Sequence, residues 1–191
     1  MVSDDVVIAK GHSLRSNVAT ALLWLLGGGV AWFFSYLGVD FIGIDGELTF
    51  YGPDSFYHAT RILSATGNLA EFYQYDARSA VWISWPWGYD WILAAFTTVV
   101  CNNVNECNPS ALLVHIPPVI TFLNAGLVLA VGSRLSLSNP FKCLLMLAYA
   151  FSPLVQELHF AGRIDHHMIE LSFSLASLYL GLKWLQPDST P

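Results

Sequence analysis

The feature that most constrains this chain is its series of long apolar blocks. Four of them, approximately Val18–Leu37, Ala111–Val131, Phe141–Val155 and Met168–Leu185, approach or reach the roughly 17–25 residues that a helix needs to cross a bilayer. The third is near the short limit and extends naturally into Gln156–Leu158. A fifth stretch, Trp87–Val100, is only about 14 residues, a length that more often lies in the interface or re-enters than spans. Its Trp87, Tyr89 and Trp91 suit the headgroup level, where aromatic rings sit half wet. Composition agrees. The chain is 54% hydrophobic and 12% charged, against roughly 25% charged in an average soluble domain, which leaves too few charges to coat a globule. The expected fold is an all-α, polytopic helical membrane protein with the lipid bilayer as its solvent. The formal net charge of −6 argues against nucleic acid as a partner. Cys101, Cys107 and Cys143 form no Cys-x-x-Cys pair, so the usual structural zinc pattern is absent. No small-residue cleavage site follows the first block cleanly, so it reads as a retained first helix rather than a removed signal.

Charge sets the sides. Lys10 and Arg15 precede the first block, Arg134 and Lys142 flank the link between the second and third, and Lys183 ends the fourth. The positive-inside rule places all of these in the cytoplasm. Four spans then put residues 38–110 outside as a long first loop and residues 159–167 outside as a short second loop, within one transmembrane domain over residues 1–191. A crossing by Trp87–Val100 would separate the two loops onto opposite faces, so segment length and charge bias agree that it does not cross. Cys101 and Cys107 both fall outside in this topology, where thiols persist as disulfides. The Asn-rich run between them is turn-forming and brings them into pairing range. Cys143, within an apolar block, is expected to stay free.

Two polar constellations then face the same side. The second loop reads Gly162-Arg163-Ile164-Asp165-His166-His167-Met168-Ile169-Glu170. Asp165-x-His167 spacing can set a carboxylate oxygen and an imidazole nitrogen on one ion, with His166 pointing elsewhere; a solvated polar loop is the plainer reading. The first loop contains Gly52-Pro53-Asp54-Ser55-Phe56-Tyr57-His58-Ala59-Thr60-Arg61. Gly-Pro makes a turn and Asp54 falls where an N-cap would, with His58 and Arg61 at i+4 and i+7 on the same helical face. A capped amphipathic helix with a solvated stripe explains this run equally well. Asp54 joining Asp165 and His167 would make a site for a hard or borderline divalent ion. Further along, Trp85-Pro86 breaks the chain before the fifth stretch. Asp90 within that stretch is either at the polar boundary or hydrogen-bonded.

Asp54 with Tyr57-His58-Ala59-Thr60-Arg61, then Trp85-Pro86, then Asp165-His166-His167, in this order, resemble the N-terminal part of oligosaccharyltransferase catalytic subunits of the archaeal and bacterial single-subunit type. These are similar to other GT-C glycosyltransferases, whose first loop folds back as interfacial helices. The resemblance covers about residues 15–186. It implies a metal-dependent enzyme of protein N-glycosylation in the plasma or inner membrane of a prokaryote, with its site on the external face. Such an enzyme transfers an oligosaccharide from a polyprenyl (pyro)phosphate carrier to asparagine of an acceptor polypeptide. By this resemblance Asp54, Asp165 and His167 are metal ligands for Mn or Mg, and Asp54 and Asp165 are catalytic. His58, Arg61 and Arg163 are candidate substrate contacts, and Glu170 matches a nearby acidic position without being counted as a ligand. Family members are longer and carry a soluble C-terminal domain with a Trp-Trp-Asp-Tyr-Gly motif. This motif is absent here, so the chain is expected to be the N-terminal part of a longer, GT-C-like enzyme.

Two rivals accompany this expectation. One is another GT-C enzyme that uses a lipid carrier. The other is a small transporter or accessory subunit without catalysis, in which polar groups would line a path within the spans.

Overall fold

The computed structural model describes residues 4–37, 49–71, 75–76, 81–82 and 87–186, with side chains over 17–37, 49–70 and 87–186. The expected Trp85-Pro86 break lies outside the described residues.

Helix α1 runs Asp4–Phe34, and its Asn17–Phe34 part has a mean hydropathy of 1.5. Asn108 then starts α4 (Pro109–Val114) by accepting a hydrogen bond from the Ala111 N–H at 3.1 Å. After a break at His115 comes α5 (Ile116–Arg134), with Pro117 and Pro118 in its first turn, where proline's missing N–H has no helical acceptor to lose. The continuous stretch Pro109–Arg134 is 26 residues with a mean hydropathy of 1.9. At 1.5 Å per residue these two apolar stretches extend about 27 and 39 Å, against about 30 Å of hydrocarbon core. Among the described residues they are the two helical stretches long and apolar enough to cross a membrane.

The third apolar block is not one helix. It divides into α6 (Asn139–Ala150) and α7 (Pro153–Leu158). Pro153 is the cause, since the residue before a proline is driven out of the helical region. Ser152 sits at ψ 120 and caps α7 through its hydroxyl. Gln156 spans the break, donating to the Ala150 carbonyl at 2.6 Å. The fourth block is α8 (His167–Leu185).

Two packed groups result. Helices α1, α5 and α6 pack on one another, with α8 against α5. Their shared core holds Ala31, Ala125, Leu129, Met146 and Ala150. The approach of α1 to α6 is so close at Gly27 that a Cβ there would lie 2.6 Å from Met146 Cε. The second group is α2 (Pro53–Ala65), α3 (Trp87–Asn103) and α4. Its core joins Ile62, Leu93, Ala94 and Leu113 to Ile164 and Met168 at the entry to α8. A two-residue antiparallel pairing, Tyr75–Asp76 with Val81–Trp82, lies between α2 and α3 in sequence. Cys101 at the end of α3 is joined to Cys107, with Cα atoms 5.0 Å apart, and Cys143 is free and exposed.

Candidate functional site

The site is built where the two loops are tied together. The chain between α7 and α8 is held by three backbone hydrogen bonds. The Ala161 N–H donates to the Ser35 carbonyl at the end of α1, the Gly162 N–H donates to the Val114 carbonyl at the end of α4, and the Tyr51 N–H donates to the Gly162 carbonyl, each at 2.9 Å. Gly162 has φ +84, and a Cβ there would run into the Thr49 carbonyl oxygen. Only glycine fits both demands. The stitch fixes Tyr51 beside the second loop, and α2 starts two residues later.

That start differs in detail from the expected one. Gly52, at φ 83, is the N-cap; Pro53 is the first helical residue, and Asp54 lies in the first turn without a side-chain capping bond. Its carboxylate still lies at the positive end of the helix dipole. Asp54 is exposed and makes no hydrogen bond or ion pair among the described residues. It lines a cleft of about 230 Å3 with Tyr51, Ser55, Glu157, Arg163 and Asp165. The two loops therefore do share one cleft. Arg163 is ion-paired to Glu157 and lies 3.9 Å from Asp165 Oδ2. Asp54, Glu157 and Asp165 outnumber that one guanidinium, which biases the cleft toward cations.

Asp165 is 3% exposed. Its Oδ1 lies 3.1 Å from His166 Nδ1 and accepts weakly from the His167 backbone N–H at 3.4 Å, the first residue of α8. The expected alternation is reversed here. His166 is buried against Asp165, whereas His167 is exposed and bonds Glu170 Oε2 through Nδ1 at 2.7 Å. The physical reason is that α8 begins at His167, so its side chain follows helical spacing and meets the residue at i+3. The bond to Glu170 raises the His167 pKa above the ordinary imidazole value.

The third partner comes from α2. One ligand atom from each of His58, Asp165 and His166 lies within 4.8 Å of the others. His58 and Arg61 do not form a solvated stripe. Both face inward onto α3, where Asp90 Oδ1 meets His58 Nδ1 at 2.6 Å and Asp90 Oδ2 meets Arg61 Nη1 at 2.7 Å. Asp90 is fully buried. Asp90 holds His58 at Nδ1. A carboxylate behind an imidazole in this way fixes its tautomer and raises its basicity as a ligand. Arg61, 5.5 Å from the Tyr57 ring centroid, serves this buried pair rather than the cleft.

Tyr89, next to Asp90, carries a buried hydroxyl with no hydrogen-bond partner among the described residues. Burial, then the Asp90 and Asp165 charges, push its pKa well above the phenol value. The ring bearing this orphaned hydroxyl lies against the His58 ring and near the Asp90 and Asp165 charges. The mixed oxygen and nitrogen donor set suits a borderline divalent ion, so the residues present fit such a group. Reading the sequence alone missed Tyr89, Glu157 and the inward turn of His166. The available signal was Asp90, an ionisable residue inside an apolar run.

Helical with two crossing-length stretches, the chain presents a two-loop carboxylate–imidazole site. Comparison with family models, curated proteins and solved structures finds no match.

Proposed function

We propose that the chain is a multi-pass membrane glycosyltransferase of the oligosaccharyltransferase kind. It works on the external face and moves an oligosaccharide from a polyprenyl (pyro)phosphate carrier to the asparagine amide of an acceptor polypeptide. The observation that carries this reading is that Asp54 and Asp165, from different loops, line one cleft, with His58 and His166 beside Asp165.

The four-span topology belongs to this proposal, and the geometry supports it by parity. The stretch α4–α5 crosses once and α6–α7 returns. Asp54 and Asp165 then share a face only if α3 does not cross as well. Packing of α3 on α2 and α4 and its buried Asp90 suit an interfacial layer over the bundle. Large exposed apolar side chains, such as Leu22 and Leu26 on α1, Leu144 on α6 and Phe173 and Leu180 on α8, suit contact with lipid. Polar groups of the bundle are paired, Thr121 with Tyr149, and Asn124 with His159 at the start of the second loop, which speaks against a transport path.

Asp165 and Asp54 would supply oxygen ligands and the His58 and His166 imidazoles nitrogen ligands; His167 is the alternative nitrogen donor implied by the resemblance. A divalent ion, Mn2+ or Mg2+, supplies Lewis-acid stabilisation of the leaving phosphate when bound. Arg163 adds a guanidinium facing the same cleft, suited to phosphate oxygens. The exposed Asp54 carboxylate accepts a hydrogen bond from the asparagine amide, orienting a poor nucleophile. Test: the complete enzyme containing this chain, in lipid vesicles, is given a polyprenyl pyrophosphate oligosaccharide, an Asn-x-Thr peptide and Mn2+, and the peptide is weighed. A glycopeptide that disappears with Asp54→Asn and with Asp165→Asn is expected. Transfer unaffected by both substitutions rules the reading out.

A further inference from the structure

A second site lies at the other end of the bundle. The second loop is bonded to α1 at Ser35. About 27 Å away along α1, Asn17 and Thr20 line an open cleft of about 590 Å3 together with Ser133 at the end of α5 and Lys142 at the start of α6. Lys142 is only 7% exposed. Its side chain makes no ion pair or hydrogen bond among the described residues. The side chain is mostly buried and lines the cleft, and an unpaired ammonium shielded in this way from bulk water is costly. Its position compounds the cost. Lys142 bonds through its backbone N–H to the Ser138 carbonyl, so it sits in the first turn of α6, where the helix dipole is positive. The turn contains no acidic residue, and Ser138 provides no side-chain cap.

We infer that this cleft binds the phosphate of an anionic lipid headgroup. The anion would supply the missing counter-charge to Lys142. The Ser133 and Thr20 hydroxyls and the Asn17 amide would supply neutral hydrogen bonds around it. A phosphate on a lipid rather than in solution is the favoured source, because the cleft walls continue into exposed apolar side chains, Val18, Leu22 and Leu25 of α1. Basic pockets between helices at a membrane surface bind such headgroups. The inference rests on the membrane reading of the chain and is independent of the transferase reading.

The test is native mass spectrometry of the chain from mixed micelles containing equal amounts of phosphatidylglycerol and phosphatidylcholine. Wild-type protein is expected to retain phosphatidylglycerol over phosphatidylcholine by about fivefold, the effect of one lysine near a phosphate. Lys142→Met abolishes the preference, Lys142→Arg keeps it and shows that the charge rather than folding is responsible, and Lys183→Gln, at the exposed end of α8, leaves it intact. An unchanged preference in Lys142→Met, its loss in Lys142→Arg, or equal loss in Lys183→Gln overturns the inference. Displacement of the lipid by inorganic phosphate at the lipid's own concentration overturns the lipid as the source. Equal retention of both lipids by wild type overturns the site alone, whereas retention of neither overturns the membrane reading beneath it.

Discussion

Asp90 and His58 meet at 2.6 Å, Oδ1 to Nδ1, with both side chains buried, and Arg61 closes on the other carboxylate oxygen at 2.7 Å. Removing one member of such a group strands a charge in the interior, which typically costs about 3–5 kcal/mol. Asp90→Ala is expected to lower unfolding stability by that order, measured by denaturation in detergent. Asp90→Asn keeps the shape, releases the His58 tautomer and is expected to weaken divalent-ion binding by about 10–100-fold. Wild-type stability in Asp90→Ala would show that the pair is not formed.

Gly162 supports the joint between the two loops. Gly162→Ala meets both a positive φ of +84 and the Thr49 carbonyl, and backbone strain of this kind costs on the order of 1–3 kcal/mol. Gly181 on α8 has open space around its Cβ position, and Gly181→Ala is expected to be neutral or stabilising by up to about 1 kcal/mol. Thermal unfolding of the two variants side by side checks this. Equal melting temperatures would remove Gly162 from the account.

Much of this arrangement was legible beforehand, and the exceptions have physical causes. Apolar block length located α1, α4–α5 and α8 because a helix that meets apolar surroundings on all sides has no need of polar positions. Block length could not see the break at Ser152, since Pro153 acts through one residue's backbone. Charge bias put Asp54 and Asp165 on one expected side, and the two do line one cleft. Motif spacing did not orient His166 and His167, because that depends on where α8 begins. Nor did it join His58 to Asp90, because a pairing across 32 positions belongs to the packing of α2 on α3 and leaves no local signature.

His159 is expected to contribute to the acid side of the stability profile. It is fully buried, held by the Val155 carbonyl at Nδ1 and by the Asn124 amide at Nε2. Burial lowers its pKa below the ordinary imidazole value. Above about pH 6.5 the group is neutral in both folded and unfolded chains and has no effect. As pH falls below that point the unfolded chain takes up a proton that the folded chain refuses, so stability is lost down through the lowered folded pKa. His159→Gln is expected to flatten this part of the curve in urea unfolding measured from pH 7.5 to 5. An unaltered slope would assign the acid sensitivity to another group.

The Cys101–Cys107 bridge closes a short loop between α3 and α4, so its contribution is expected at the low end of about 2–4 kcal/mol. Alkylation without reductant is expected to modify Cys143 alone. Modification of Cys101 and Cys107 in protein taken from its native membrane would contradict both the bridge and the external placement of α3.

His166 and His167 offer the ion different things. His166 is buried beside Asp165, and His167 is bonded to Glu170. His166→Ala is therefore expected to weaken Mn2+ binding more than His167→Ala. The opposite order would restore the Asp165-x-His167 ligand pattern implied by the family resemblance.

Asp54 and Asp165 line one cleft, and the proposed role of both is to hold one divalent ion there. Electron paramagnetic resonance titration of the purified chain with Mn2+ tests it most directly. One bound ion per chain is expected in the wild type, with a loss of affinity on the order of 100-fold in both Asp54→Ala and Asp165→Ala. Wild-type Mn2+ affinity in either variant would contradict it.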